Sequence, residues 1–357
     1  MTNYGKMAVN SMTVSGGLGN YGVMNIGSLG GVYGGFFGLY NAAGATLTTG
    51  GVGVDEANND GLWNAGGIGL RKYGVLVNSG VLNIRSGGGF SIYYGNDFRN
   101  SGTVNSYGKI YLDSIRGGGG FGNSGVFNNY GDIVDNNGIG NSGTFVNYGS
   151  IELNNYGLGG GGSYTQNGSQ SSTLVDAMLA SDTAIQINGG LVSGSGVIAA
   201  DLNMRGTLHP GDANCMYAPC ILTIQGNYQQ FGIGTLHSEL GGTKAGQNYD
   251  QLVITGNATL DGVLDVDLVN GFVPKPGDTF FLLTYAGETG KFATLDLPSL
   301  PLVGETWEYA YEPTDFKLWI ASGNSSFEMD PVPEPSSLVL LGGGLLSMPG
   351  VLRRKRL

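Results

Sequence analysis

The sequence predicts an all-β chain: a right-handed parallel β-helix (β-solenoid) with a C-terminal β-rich capping module and a short apolar helix at the very end. Three observations carry that expectation. Three segments align without gaps: NSGTVNSYGKIYL (Asn100–Leu112), NSGVFNNYGDIVD (Asn123–Asp135) and NSGTFVNYGSIEL (Asn141–Leu153). Glycine supplies 68 of 357 residues, well above the usual ~7 per cent, so tight turns are frequent. Helix formers are scarce while Val, Ile, Thr, Tyr and Phe recur, which favours strands.

Residues 1–173 read as Gly/Asn-rich solenoid repeats. In the aligned segments Val104, Phe127 and Phe145 share one column, and Ile110, Ile133 and Ile151 another. Tyr107, Tyr130 and Tyr148 each precede a glycine, Gly108, Gly131 and Gly149. Lys109, Asp132 and Ser150 share no chemistry, as befits a solvent-facing column. Apolar and variable positions alternate with the period of two that a strand imposes. Further copies precede these, since NYGVMNIGSLGG from Asn20 matches NSGVLNIRSGGG from Asn78. Repeats this short cannot bury an apolar face alone, so they must stack. Stacking would set asparagine above asparagine in side-chain amide ladders, and the Asn-x-Gly corners are expected to supply positive φ. Hairpin spacing or a leucine pattern, as a β-sandwich or leucine-rich repeats would show, is absent. The segments resemble the Asn-Ser-Gly-Thr repeats of bacterial adhesins and autotransporter passengers.

Residues 174–322 read as the capping module. From Leu174 glycine thins and strands lengthen, and Leu260 to Leu268 alternates clearly, with Asp265 and Asp267 on one face. His209-Pro210-Gly211, Tyr249-Asp250-Gln251-Leu252 and Pro274-Lys275-Pro276-Gly277-Asp278-Thr279-Phe280 resemble the corner, strand and turn of a C-terminal β-helical module found in autotransporter-like proteins. Such a module would cover the open end of the solenoid, whose edge groups are otherwise unpaired. The cysteines Cys215 and Cys220 lie in a loop after the first corner. Two thiols with only His209 nearby are too few for a zinc site. A local disulfide is the simpler account in an exported protein, with free buried thiols as the alternative.

Residues 323–331 form a polar linker, and residues 332–357 the tail. There Pro333-Glu334-Pro335 leads into an apolar stretch from Leu338 to Leu352, closed by Arg353-Arg354-Lys355-Arg356. Fifteen apolar residues fall short of the ~20 of a full span, yet Gly342-Gly343-Gly344 and Pro349 would make a poor helix in water. Cations beside an apolar run stay on the cytoplasmic side. This order resembles the PEP-CTERM sorting signal of Gram-negative bacteria. The resemblance implies a short transmembrane sorting helix that holds the chain transiently in the inner membrane. It also implies processing by exosortase, a membrane cysteine protease for which Pro333, Glu334 and Pro335 are the recognition element. Met1 to Gly22 shows no basic stretch followed by an apolar run of about 7–15 residues. A start upstream of Met1 is therefore expected, the alternative being another export signal.

Net charge is −11, and the tail from Pro331 contributes four cations less Glu334, leaving the body near −14. So acidic a body should repel nucleic acid. Clustered carboxylates would be needed for a polysaccharide lyase or hydrolase. Asp132, Asp135, Asp261, Asp265 and Asp267 are the candidates, but Asp132 reads better as surface variation and Asp261, Asp265 and Asp267 as a solvated strand face. With only two histidines, His209 and His237, a histidine triad has almost no raw material. Gly50 to Asn58 matches a calcium nonapeptide once, with no second copy to complete a site. Neither a metal nor a cofactor is expected. Tyr93, Tyr94, Tyr111 and Tyr164 are candidates, by type alone, for stacking on sugar rings. The sequence thus reads as an exported, non-enzymatic surface or matrix protein, associated with exopolysaccharide, biofilm or floc by family resemblance. The rival is a polysaccharide-acting β-helix enzyme with the same tail.

Overall fold

A computed structural model describes residues 1–31, 36–93, 95–113, 120–211, 221–300 and 304–322. Every regular element among them is a strand, and no helix occurs among the described residues. The strands form one long, non-closed, mixed sheet, an all-β arrangement compatible with a β-solenoid. Residues Met1–Ser322 make one compact unit.

The aligned segments explain the pairing. Asp97–Asn100, Thr103–Ser106 and Lys109–Leu112 are three short strands separated by corners. Each pairs in parallel with the strand three further along, Phe121–Asn123, Val126–Asn129 and Asp132–Asp135 respectively. Three strands therefore complete one coil, and the next coil lies directly on it. The register aligns like with like: Asn100 with Asn123, Val104 with Phe127, and Ile110 with Ile133. Alternate side chains point inward, so Phe98, Val104, Ile110 and Leu112 are fully buried. The inner columns continue as Phe127, Phe145 and Tyr164, whose rings stack at 5.0 and 5.8 Å. Before Asn78 the strands are longer, Thr46–Asn59 and Leu62–Asn78, but pair in the same parallel sense.

Inside one corner runs the expected asparagine ladder. Asn3, Asn20, Asn41, Asn59, Asn78, Asn100 and Asn123 each donate Nδ2–H to Oδ1 of the asparagine one coil on, ending at Asn141, at 2.7–2.8 Å. Their second N–H is aimed at a backbone carbonyl, as from Asn78 to Thr103 and from Asn100 to Val126, both 3.1 Å. The column then reaches Gly160, and the ladder stops.

The corner glycines work differently from the expectation. Gly80, Gly102, Gly125 and Gly143 are not among the residues with positive φ. Glycine is required there by close approach: a Cβ on Gly125 would fall on the carbonyl oxygen of Gly102, and one on Gly143 on that of Gly125. That Gly102 carbonyl accepts the Val126 N–H at 2.8 Å, so it cannot retreat without breaking the inter-coil bond.

Parallel pairing passes through Leu174 without interruption, because Ser150–Leu153 pairs with Ser172–Val175, which pairs with Leu191–Gly194. What changes there is the filling of the coils. At the far end Thr279–Thr284 pairs antiparallel with Asp315–Ser322, and that strand with Glu305–Glu312. This hairpin lies along the last coils where another parallel strand would add.

Gly125→Ala is expected to lower stability by about 1–3 kcal/mol, the usual cost of overpacking. Gly53→Ala has nothing within 4 Å of its Cβ and no positive φ, so it should stay within ~0.5 kcal/mol of the parent. Urea-unfolding midpoints of the two variants side by side check this; equal effects would refute the close-approach account.

Candidate functional site

The sorting residues Pro333, Glu334 and Pro335, the basic residues Arg353, Arg354, Lys355 and Arg356, the short C-terminal helix, Cys215 and Cys220 all lie outside the described residues. So does Tyr94.

One outer face carries a groove of about 450 Å³. Its floor is a column of outward positions, Val77, Arg99, Gly122, Gly140 and Gly159, in register on five coils. The corner serines Ser101, Ser124 and Ser142 form one wall. Glycine at three successive coils leaves the backbone bare, and Ser124 Oγ bonds the Asn100 carbonyl at 3.1 Å. The groove is thus lined mainly by apolar backbone and side-chain atoms, with serine hydroxyls along one wall and Arg99, paired with Asp97, on the second of its five coils.

On a neighbouring corner Tyr107, Tyr130 and Tyr148 are half exposed and stacked, with centroids 4.6 and 4.7 Å apart and planes within 8°. Partial burial, then the rings on either side, push the Tyr130 hydroxyl up. Tyr130 is covered on both faces, so its ring edge and hydroxyl meet solvent. Tyr93 and Tyr111 are 6.0 Å apart, with Tyr93 exposed. Tyr164 departs from its expected surface role: it is fully buried, bonded to Thr173 Oγ1 at 2.6 Å, with its hydroxyl pushed up by burial.

The carboxylates separate into distinct settings. Asp132 is exposed and accepts the Ser150 hydroxyl at 2.6 Å. Asp135 is no surface residue; it occupies an inward column between Leu112 and Leu153 and is fully buried. Its Oδ1 accepts the N–H groups of Asn137 and Gly138 at 2.9 and 2.6 Å, closing the turn. Burial raises its carboxyl to about 6 despite those two bonds. The segment Gly50 to Asn58 lies within one strand, with Asp55 bonded to the Phe37 N–H at 2.6 Å and to Arg71 at 3.2 Å.

The residues that sequence reasoning set aside come together. His209 and His237, 28 residues apart, lie on adjacent coils with ring centroids 4.6 Å apart. Glu239 joins them, and Asp265 on the following coil bonds His237 Nδ1 at 2.9 Å. Fully buried Asp250 has Oδ2 3.3 Å from His209 Nε2. Burial pushes both the Asp250 and Glu239 carboxyls up, opposed by the nearby imidazoles. A signal for this existed in the sequence: Gly206-Thr207-Leu208-His209, Gly234-Thr235-Leu236-His237 and Gly262-Val263-Leu264-Asp265 repeat one pattern.

Residues 331–356 match the PEP-CTERM protein-sorting motif. The motif marks an exported protein processed by exosortase, with a C-terminal sorting signal. No curated protein matches the chain.

Asp135 gives the body a pH dependence. Unfolded, its carboxyl ionises near 3.9, whereas folded it holds its proton to about 6. Between these values the native state binds more protons, so stability falls as pH rises. Two pKa units correspond to about 3 kcal/mol. Asp135→Asn keeps the turn acceptor without the charge, and should flatten this slope and stabilise the protein above pH 6. Urea unfolding at about pH 4.5 and pH 7.5 checks it; an unchanged slope would show that Asp135 ionises freely.

Proposed function

We propose that the protein is an adhesin-like structural component of the cell surface or extracellular matrix, associated with exopolysaccharide in biofilm or floc. The observation that carries this reading is the PEP-CTERM motif at residues 331–356 attached to a long body of stacked coils. In this reading the coils form a right-handed parallel β-helix. The tail holds the chain briefly in the inner membrane until exosortase acts, and the body then reaches the surface. The bare groove over Gly122, Gly140 and Gly159 runs along the coil axis and suits an extended, hydroxyl-rich chain. The acidic body favours a neutral or cation-bridged polysaccharide over nucleic acid.

The role is structural rather than catalytic. Asp132 is tied to Ser150 and Asp135 to its own turn, so neither joins a second carboxylate across a substrate path. Activity screening on acidic and neutral polysaccharides is expected to give no turnover; a turnover abolished by Asp265→Asn with Asp267→Asn would establish the enzyme instead.

Intact mass and C-terminal peptide mapping of protein from an exosortase-bearing host should place the mature end near Pro333–Pro335. Replacing Pro333, Glu334 and Pro335 by alanine should leave a full-length chain. A chain ending at Leu357 in both cases would reject processing at this motif. Matrix association is tested separately. Gly122→Tyr with Gly140→Tyr fills the groove, since a Cβ at either site meets only a carbonyl oxygen at 3.7 or 3.6 Å. Retention on host exopolysaccharide should fall severalfold with the fold unchanged, and undiminished retention would exclude the groove.

A further inference from the structure

The two histidines of this chain are brought to one place by coil stacking. Thr207–Pro210 pairs in parallel with Thr235–Leu240, with Leu208 inward against Leu236. The next outward residues are therefore His209 and His237, one above the other. Glu239 follows two positions on, on the same outward face of its strand. One ligand atom from each of His209, His237 and Glu239 lies within 4.8 Å of the others.

We propose that His209, His237 and Glu239 bind one divalent transition-metal cation of the zinc class. This goes beyond export and holds whether or not the groove contacts polysaccharide. Mixed nitrogen and oxygen donors suit zinc and its neighbours, whereas calcium and magnesium take all-oxygen sets. Donors about 2.0–2.1 Å from a tetrahedral ion stand roughly 3.3 Å apart, a spacing that small side-chain rotations reach from the present one.

Independent support comes from what holds the rings. Asp265 Oδ2 takes His237 Nδ1 at 2.9 Å, so Nε2 is left as the basic nitrogen. Asp250 Oδ2 lies 3.3 Å from His209 Nε2 and also accepts the Glu239 N–H at 2.8 Å. A carboxylate behind each imidazole is the arrangement that orients metal-binding histidines and raises their basicity. The rings stay accessible, with side-chain exposures of 13 and 18 per cent.

Charge points the same way. Asp267 lies opposite Glu239 on the next coil. Four carboxylates, Glu239, Asp250, Asp265 and Asp267, thus gather around two imidazoles. A bound dication would offset that accumulation.

The test uses the full untagged chain, stripped with chelator and titrated with Zn²⁺ alone. One equivalent should bind, and the imidazole NMR signals of both histidines should move together up to that point. His237→Ala and Glu239→Gln should each weaken binding at least about tenfold, and Asp265→Asn by about 10–100-fold. Cys215→Ser with Cys220→Ser should leave the titration unchanged. The proposal is overturned if the histidine signals do not respond, if His237→Ala and Glu239→Gln bind as the parent does, or if the cysteine variant loses the metal. Should a variant fail to fold by circular dichroism, the cobalt spectrum of the parent decides: nitrogen and oxygen ligation supports the site, and a thiolate charge-transfer band rejects it.

Discussion

The buried asparagine ladder is the constraint on which the repetitive half depends. An amide inside a coil carries two N–H groups and an acceptor that all need partners, and burial without them costs about 1–3 kcal/mol per group. Each rung from Asn20 to Asn123 meets that demand by bonding the next asparagine and a carbonyl one coil away. A slip of one residue would replace the column by outward residues and orphan every amide in it. The ladder therefore sets register as well as adding stability, a task the apolar columns alone perform less sharply because Val104, Phe127 and Phe145 tolerate exchange.

Glycine and tyrosine follow from that register. With coils locked, the corner after each asparagine passes so close to the corner below that no Cβ fits between Gly125 and the Gly102 carbonyl. The same locking brings Tyr107, Tyr130 and Tyr148 into face-to-face contact at a distance set by strand spacing. Beyond Gly160 the tyrosine stack ends, while close-approach glycines continue, as at Gly206 against the Gly190 carbonyl. Tyr164, Gln166 and Thr173 then form their own buried network, with Thr173 Oγ1 bonded to Gln166 Oε1 at 2.6 Å.

Legibility differs sharply along the chain. The columns of Asn100–Leu112, Asn123–Asp135 and Asn141–Leu153 are readable because those coils differ only in the length of one connection. The histidine cluster recurs at an even step of 28 residues, from His209 to His237 to Asp265, but the shared Gly-x-Leu context that marks it is only a few residues long. Asp135 is misleading in sequence. Its column is apolar in both neighbouring coils, yet the chain places a carboxylate there to close the turn at Asn137 and Gly138. The export reading needs no fold at all, since Pro333-Glu334-Pro335, an apolar run and four cations are a linear signal.

The sequence by itself determines the strand period, the all-β class, the stacking of like residues and the sorting tail. Each of these is written in local order and repeats along one dimension. The tertiary structure alone decides why the corner residues are glycine, which tyrosines face water, and that His209, His237, Glu239 and Asp265 gather beside buried Asp250. Those facts depend on distances between successive coils. Such distances arise only when parallel strands about 4.8 Å apart bring residues separated by tens of positions into contact.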